Sequence, residues 1–216
     1  MKILTDIEGT TTSISFVHEE LFPFARARIA DFVRQNASDP KVADLLGGVR
    51  GDDALSLDQV ILRLVGWIDT DQKVTELKAL QGLIWVAGYQ DGSLKGHMYP
   101  DATRHLRAWH QAGHQLFVYS SGSVKAQKLL YGHSVDGDLT PLFSGYFDTT
   151  SGHKREAASY RRIAAEMGGG DILFLSDVVE ELDAAREAGM KTCWLQRDFD
   201  SAGDHPIAKT FDEIGL

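Results

Sequence analysis

Two uninterrupted apolar runs, Leu116-Phe117-Val118-Tyr119 and Ile172-Leu173-Phe174-Leu175, constrain the fold more than anything else in this chain. Each is short and lacks polar alternation, the pattern of a strand buried on both faces. Each is followed by small polar residues and then by a helical pattern. Helices are expected from Pro100 to near Gly113 and over residues 124–131, 154–167 and 180–188. Further strands are expected over residues 142–147 and 191–195, and Ile3-Leu4 opens the chain with another apolar run. Strands and helices in alternation predict an α/β fold, a doubly wound parallel sheet.

Between the first strand and this alternating region the chain changes character. Residues 15–98 read as helix after helix with little strand signal. Leu21, Phe24, Arg28, Phe32 and Val33 fall roughly on one face of the first, and Pro23 is expected to kink or restart it. Asp39-Pro40 starts a second helix, which Gly47-Gly48 is expected to stop. Ser56 or Asp58 can cap a third, and a fourth spans about residues 73–88. The organisation is therefore a discontinuous core, residues 1–14 and 99–216, with a helical cap domain of residues 15–98 inserted after the first strand. An insertion leaving the carboxyl end of a strand meets the face where such sheets bind ligands, so a lid is expected.

Composition removes several classes of function. A chain of 216 residues with 43% hydrophobic and 25% charged residues has the balance of an ordered globular protein. Its net charge of −9 is spread along the chain, which opposes nonspecific nucleic-acid binding. No apolar run is long enough to span a bilayer, so no membrane association is expected. The N-terminus enters a strand without a basic leader or signal core, and the single Cys193 cannot form an internal disulfide, so a cytoplasmic location is expected. The eight histidines are scattered and read as surface or hydrogen-bonded residues rather than zinc ligands. No Gly-x-Gly-x-x-Gly follows the first strand, which disfavours a dinucleotide enzyme.

The candidate site lies at the strand ends. In Asp6-Ile7-Glu8-Gly9-Thr10-Thr11-Thr12, an extended backbone would project Asp6 and Glu8 to one side. Two close carboxylates divide into one that ionises readily and one held toward its protonated form, which suits a nucleophile beside a general acid. A solvated strand end is the alternative. Gly9 permits a tight turn, and Thr10 to Thr12 can fold back as a small hairpin. Ser120 and Ser121 end another strand just before a helix, where hydroxyls and free N–H groups make a phosphate cradle; Ser123 reads as an ordinary helix cap. Lys154, at an expected helix start, works against the helix dipole, yet as a fixed cation it can hold a phosphate. Asp177 follows its strand as Asp6 follows its own and suits magnesium, which takes few protein oxygens. Glu181, one turn on, can bind a metal-bound water or support Lys154, or be an exposed first-turn acid.

In order, Asp6, Ser120, Lys154 and Asp177 match the motifs of haloacid-dehalogenase-superfamily phosphohydrolases, which the chain resembles. Glu8 departs from the usual second aspartate. That departure, with Tyr119-Ser-Ser-Gly-Ser-Val-Lys-Ala-Gln-Lys-Leu-Leu130, Gly132-His-Ser134 and Ser151-Gly-His-Lys154, resembles the enolase-phosphatase family of methionine salvage. The resemblance spans nearly the whole chain. It implies a monomeric magnesium enzyme that enolises a phosphorylated diketone and then removes the phosphate. It implies Asp6 as nucleophile and metal ligand, Glu8 as acid and main-chain metal ligand, Ser120, Ser121 and Lys154 as substrate-holding residues, and Asp177 as third metal ligand. Phe16, Trp85 or Tyr89 are expected to enclose the methylthio tail. The rival expectations are a phosphatase for another small phosphoester such as a sugar phosphate, a metal-independent haloacid dehalogenase, and a noncatalytic phosphometabolite-binding protein.

Overall fold

The computed structural model describes residues 1–216. The chain divides into two compact units, residues 1–14 with 95–216, and residues 15–94. The return boundary falls ahead of the expected Tyr99. Gly96 already pairs with the core, its N–H donating to His133 O and its carbonyl accepting from the Val135 N–H, both at 2.9 Å.

The first unit begins with β1 (Lys2–Thr5). The helical unit follows. A π-helical turn, Phe16–Leu21, runs into α1 (Phe22–Asn36), where Pro23 sits in the first turn and restarts the helix as expected. α2 (Pro40–Arg50) is capped by Asp39, whose side chain accepts from the Lys41 and Val42 N–H groups. α3 (Leu57–Asp69) is opened by a reciprocal capping box between Ser56 and Gln59, and α4 (Thr75–Asp91) ends at the left-handed Gly92.

Two helical expectations are corrected. The buried stripe of α1 is Ala25, Ile29 and Val33. The small Ala25 suits the inner face, whereas Arg28 lies outside with its guanidinium 3.6 Å from the Phe24 ring centroid. Gly47-Gly48 does not stop α2, which continues to Arg50 and ends at Gly51, φ +58°. Gly48 instead allows close approach to α4, since a Cβ there would stand 2.8 Å from Glu76 Cγ. The unit closes its own core from Ile29, Val42, Leu46, Val60, Leu64, Leu77, Leu80 and Ile84, among others.

The alternating region holds α5 (Pro100–Gln111), β2 (Gln115–Tyr119), α6 (Val124–Gly132), β3 (Phe143–Phe147), α7 (Ala157–Glu166), β4 (Ile172–Ser176), α8 (Val179–Glu187), β5 (Lys191–Leu195) and β6 (Ile207–Ala208). The six strands form one sheet in the order β3-β2-β1-β4-β5-β6, with every pairing parallel. β1 is central, its Thr5 level with Val118 on one side and Leu175 on the other. Leu4, Phe117, Tyr119 and Phe174 face Tyr160 and Ile163 of α7 and Leu182 and Ala185 of α8. α5 lies against β2 and stacks Trp109 on Phe211, with ring centroids 5.3 Å apart. α7 begins at Ala157, so Lys154 precedes the helix in a turn, and the argument from its dipole does not apply. No helix is long and apolar enough to cross a membrane.

Glycines within α4 separate space from propensity. Gly82 has nothing within 4 Å of a built Cβ, whereas at Gly88 the Cβ would stand 2.3 Å from Phe24 Cζ. Gly82→Ala should stabilise the protein by about 0.5–1 kcal/mol, the helix-propensity gain. Gly88→Ala should destabilise it by about 1–3 kcal/mol through overpacking. Urea unfolding of both variants checks the opposite signs.

Candidate active site

Asp6 sits where β1 ends. Its N–H donates to Leu175 O at 2.9 Å, so the backbone pairing with β4 reaches one residue past the strand. The side chain turns inward and is only 7% exposed. Asp6 Oδ1 accepts from the Ile7 N–H at 2.8 Å and meets Lys154 Nζ at 2.7 Å. The same Nζ stands 2.6 Å from Glu181 Oε2, which also accepts from the Ser176 hydroxyl at 3.1 Å. Three charged side chains, each at most 10% exposed, thus share one small volume. Burial lowers the Lys154 ammonium, but Asp6 and Glu181 outweigh it and hold its pKa above the ordinary lysine value. Burial and the Asp6 charge together raise Glu181. Glu181 is therefore the buried partner of Lys154 rather than an exposed first-turn acid.

The lysine is placed by its turn. Tyr160 Oη donates to Lys154 O at 2.7 Å, and Tyr119 Oη donates to Gly152 O at 2.9 Å. Gly152 has φ +123°, and a Cβ there would lie 2.1 Å from Ser159 Oγ, so the turn requires glycine. Neither tyrosine was singled out from the sequence, because each reads as core within its own element.

After Asp6 the chain does not stay extended. The N–H groups of Thr10, Thr11 and Thr12 all point to Ile7 O, at 3.2, 2.9 and 2.9 Å, giving a compact turn in place of the expected hairpin. Asp6 is buried while Glu8 is exposed. Gly9 adopts φ +68° and lies against Asp177, whose Oδ2 would be 2.2 Å from a Cβ at Gly9. Burial, then the charge of Asp6, pushes the Asp177 carboxyl up to about 7. Trp194 Nε1 donates to Asp177 O at 2.9 Å and fixes its backbone.

No three acidic, imidazole or thiol side chains converge on one point. A cation here would draw on two carboxylates, Asp6 and Asp177, and on main-chain oxygen from the turn between Asp6 and Gly9. That hard, oxygen-only donor set fits magnesium. Burial, then the charge of Asp6, disfavours the ionised form of the Asp177 carboxyl, a cost that a divalent cation relieves. His110 and His114, though four residues apart, do not share a helical face, because α5 ends at Gln111 and turns at Gly113, φ +85°.

Ser120 ends β2 beside β1, buried, with its Oγ accepting from the Gly122 N–H at 3.2 Å; Ser121 is exposed. Ser123 caps α6 by accepting from the Ala126 N–H at 3.3 Å. Val124 N–H is taken by Asp148 Oδ2 at 3.0 Å. Two of the N–H groups expected for a phosphate cradle are thus satisfied internally. In the helical unit, Phe16 and Tyr89 are buried, and Trp85 is half-buried with its Nε1 donating to Leu21 O at 2.9 Å.

The family model for haloacid dehalogenase-like hydrolases matches residues 3–189. The chain is 56% identical to the enolase-phosphatase E1 of Pseudomonas aeruginosa, over 98% of this chain and 96% of that protein. It is 57% identical to the enolase-phosphatase E1 of Methylococcus capsulatus, with the same coverage. The crystal structure of the UTR4 protein of Saccharomyces cerevisiae superposes with a TM-score of 0.86 at 35% identity, covering 99% of both chains.

The Asp177 carboxyl carries a pH signature. Its ordinary value is 3.8 and its folded value about 7, so between these the folded chain holds more protons than the unfolded chain. Stability in the presence of a chelator should therefore fall as pH rises from about 4 to 7. Urea midpoints at pH 5 and pH 8 should differ in that sense, and Asp177→Asn should reduce the difference, the rest coming from Glu181, which is raised in the same sense. An unchanged slope in that variant would remove Asp177 as its source.

Proposed function

The chain belongs to the enolase-phosphatase family of haloacid dehalogenase-like hydrolases, and we propose that it converts 2,3-diketo-5-methylthiopentyl 1-phosphate to the acireductone 1,2-dihydroxy-3-keto-5-methylthiopentene and phosphate in methionine salvage. The observation that carries the residue assignment is the buried contact of Lys154 with both Asp6 and Glu181 at a strand end. A carboxylate attacking an anionic phosphate meets repulsion, and a fixed ammonium at the nucleophile offsets it. Asp6 and Glu181 keep that ammonium charged, and the Ser176 hydroxyl bonds the same Glu181 oxygen that meets it.

In this reading Asp6 is the nucleophile. Its Oδ1 is engaged by Ile7 N–H and Lys154, which leaves Oδ2 to attack. The bond from Asp6 to phosphorus forms as the bond from phosphorus to the substrate oxygen breaks, giving an aspartyl-phosphate. Glu8, on the exposed side of the turn, protonates the departing oxygen. It then takes a proton from the water that releases phosphate and restores Asp6. Ser120, Ser121 and Lys154 hold the substrate. Magnesium, held by Asp6, the Glu8 main-chain oxygen and Asp177, supplies Lewis-acid charge to the phosphoryl oxygens when bound. The helical unit is inserted in the chain directly after the nucleophile turn.

Phosphate release and ultraviolet absorbance should be followed together on the diketo phosphate with magnesium, beside a panel of sugar phosphates. An enol signal followed by metal-dependent phosphate release is expected, with kcat in Asp6→Asn lowered by about 10⁴-fold or more, as for loss of a nucleophile. Release only from other phosphoesters would keep the residue roles and overturn the substrate.

A further inference from the structure

Arg197 leaves the carboxyl end of the sheet just after β5 and reaches the turn that follows Asp6. Its Nε and Nη2 both donate to Thr10 O, at 3.2 and 2.8 Å, while Nη1 bonds Asp101 Oδ2 at 2.7 Å. Asp101 Oδ2 also accepts from the Phe211 N–H at 2.8 Å. The guanidinium lies 4.1 Å from the Tyr99 ring centroid and 5.2 Å from that of Phe211. Its side chain is 6% exposed. A guanidinium is tolerated out of water only where its donors are spent, and here two of them are spent on a single main-chain carbonyl.

That carbonyl belongs to the turn carrying the chemistry. Thr10 N–H bonds Ile7 O, and Ile7 N–H bonds Asp6 Oδ1, so Thr10, Ile7 and Asp6 are linked by consecutive hydrogen bonds. Tyr99 N–H holds the neighbouring Thr11 O at 2.9 Å, and Tyr131 Oη shares a 2.9 Å hydrogen bond with Thr11 Oγ1. Gly9, inside the turn, touches the Asp177 carboxylate, so any slide of the turn alters how Asp6 and Asp177 face each other. A forked grip on one carbonyl fixes direction as well as position, which apolar packing alone does not.

We propose that Arg197 is a positioning residue for the reaction, holding the turn after Asp6 in its working geometry through the Thr10 carbonyl. This role rests on the enolase-phosphatase reading. It acts on the reacting geometry rather than on substrate affinity, so its loss lowers kcat and leaves KM nearly unchanged.

The test compares the parent chain, Arg197→Lys, Arg197→Met and Phe211→Leu on the diketo phosphate, well below each melting temperature. Amide exchange at residues 8–12 is measured without substrate on the same proteins. Arg197→Lys keeps the charge beside Asp101 but cannot fork; kcat should fall about 10-fold, with KM within about threefold and faster exchange in the turn. Arg197→Met should lose about 100-fold in kcat. Phe211→Leu removes the farther of the two rings beside the guanidinium but no donor, and should lower the melting temperature while keeping kcat within about threefold. If Arg197→Met does not fold, the lysine variant decides alone. A parental kcat in Arg197→Lys, or a rise in KM without loss of kcat, would overturn the proposal. An inactive parent chain with accelerated exchange in the variants would instead reject the substrate and leave the grip on the turn standing.

Discussion

One ammonium, that of Lys154, is held out of water between two carboxylates, and the geometry of the strand ends depends on it. Without it, Asp6 and Glu181 would be like charges in a space too dry to separate them. With it, the set still carries an excess of negative charge, and Asp177 adds to that excess. The tyrosine hydroxyls under the lysine turn therefore do electrostatic as well as structural service. Each bonds a main-chain carbonyl of that turn, Tyr119 at Gly152 and Tyr160 at Lys154, and so sets where the positive charge stands.

The sheet explains why residues so distant in sequence meet. β1 lies between β2 and β4, so Asp6, Ser120 and Asp177 emerge from three adjacent strands. Lys154 comes from the turn before α7 and Glu181 from the first turn of α8, the two helices covering one face of those strands. Parallel pairing on both sides of β1 leaves it little freedom to slip, and that rigidity passes to Asp6.

Much of this was legible from residue patterns because it depends on local chemistry. Continuous apolar runs marked β2 and β4, and strand-end position singled out Asp6, Ser120 and Asp177. What escaped reading depends on distant partners. Glu181 sits in the first helical turn, where an acid is ordinary; support of Lys154 was one of its open readings, and only the folded contact decides for it. Gly47-Gly48 carries a helix-stop signal, but packing against Glu76 of α4 overrides it. The two residues of β6 are too few to show a period. Arg197 lay within reach of the strand-end argument applied to β5, yet its role rests on a contact with a residue near the other end of the chain.

The central place of β1 also governs the order in which contacts can form. Its partners begin at Gln115 and Ile172, so the N-terminal strand waits for most of the chain before its ladder can close. The helical unit closes a core drawn wholly from residues 25–84, a contiguous stretch. During synthesis that unit can gather its contacts while β1 is still an unpaired strand. The loop entropy of joining β1 to β4 is then reduced, because the residues between them are already compact. The insertion thus shortens the effective path of the longest-range pairing in the sheet.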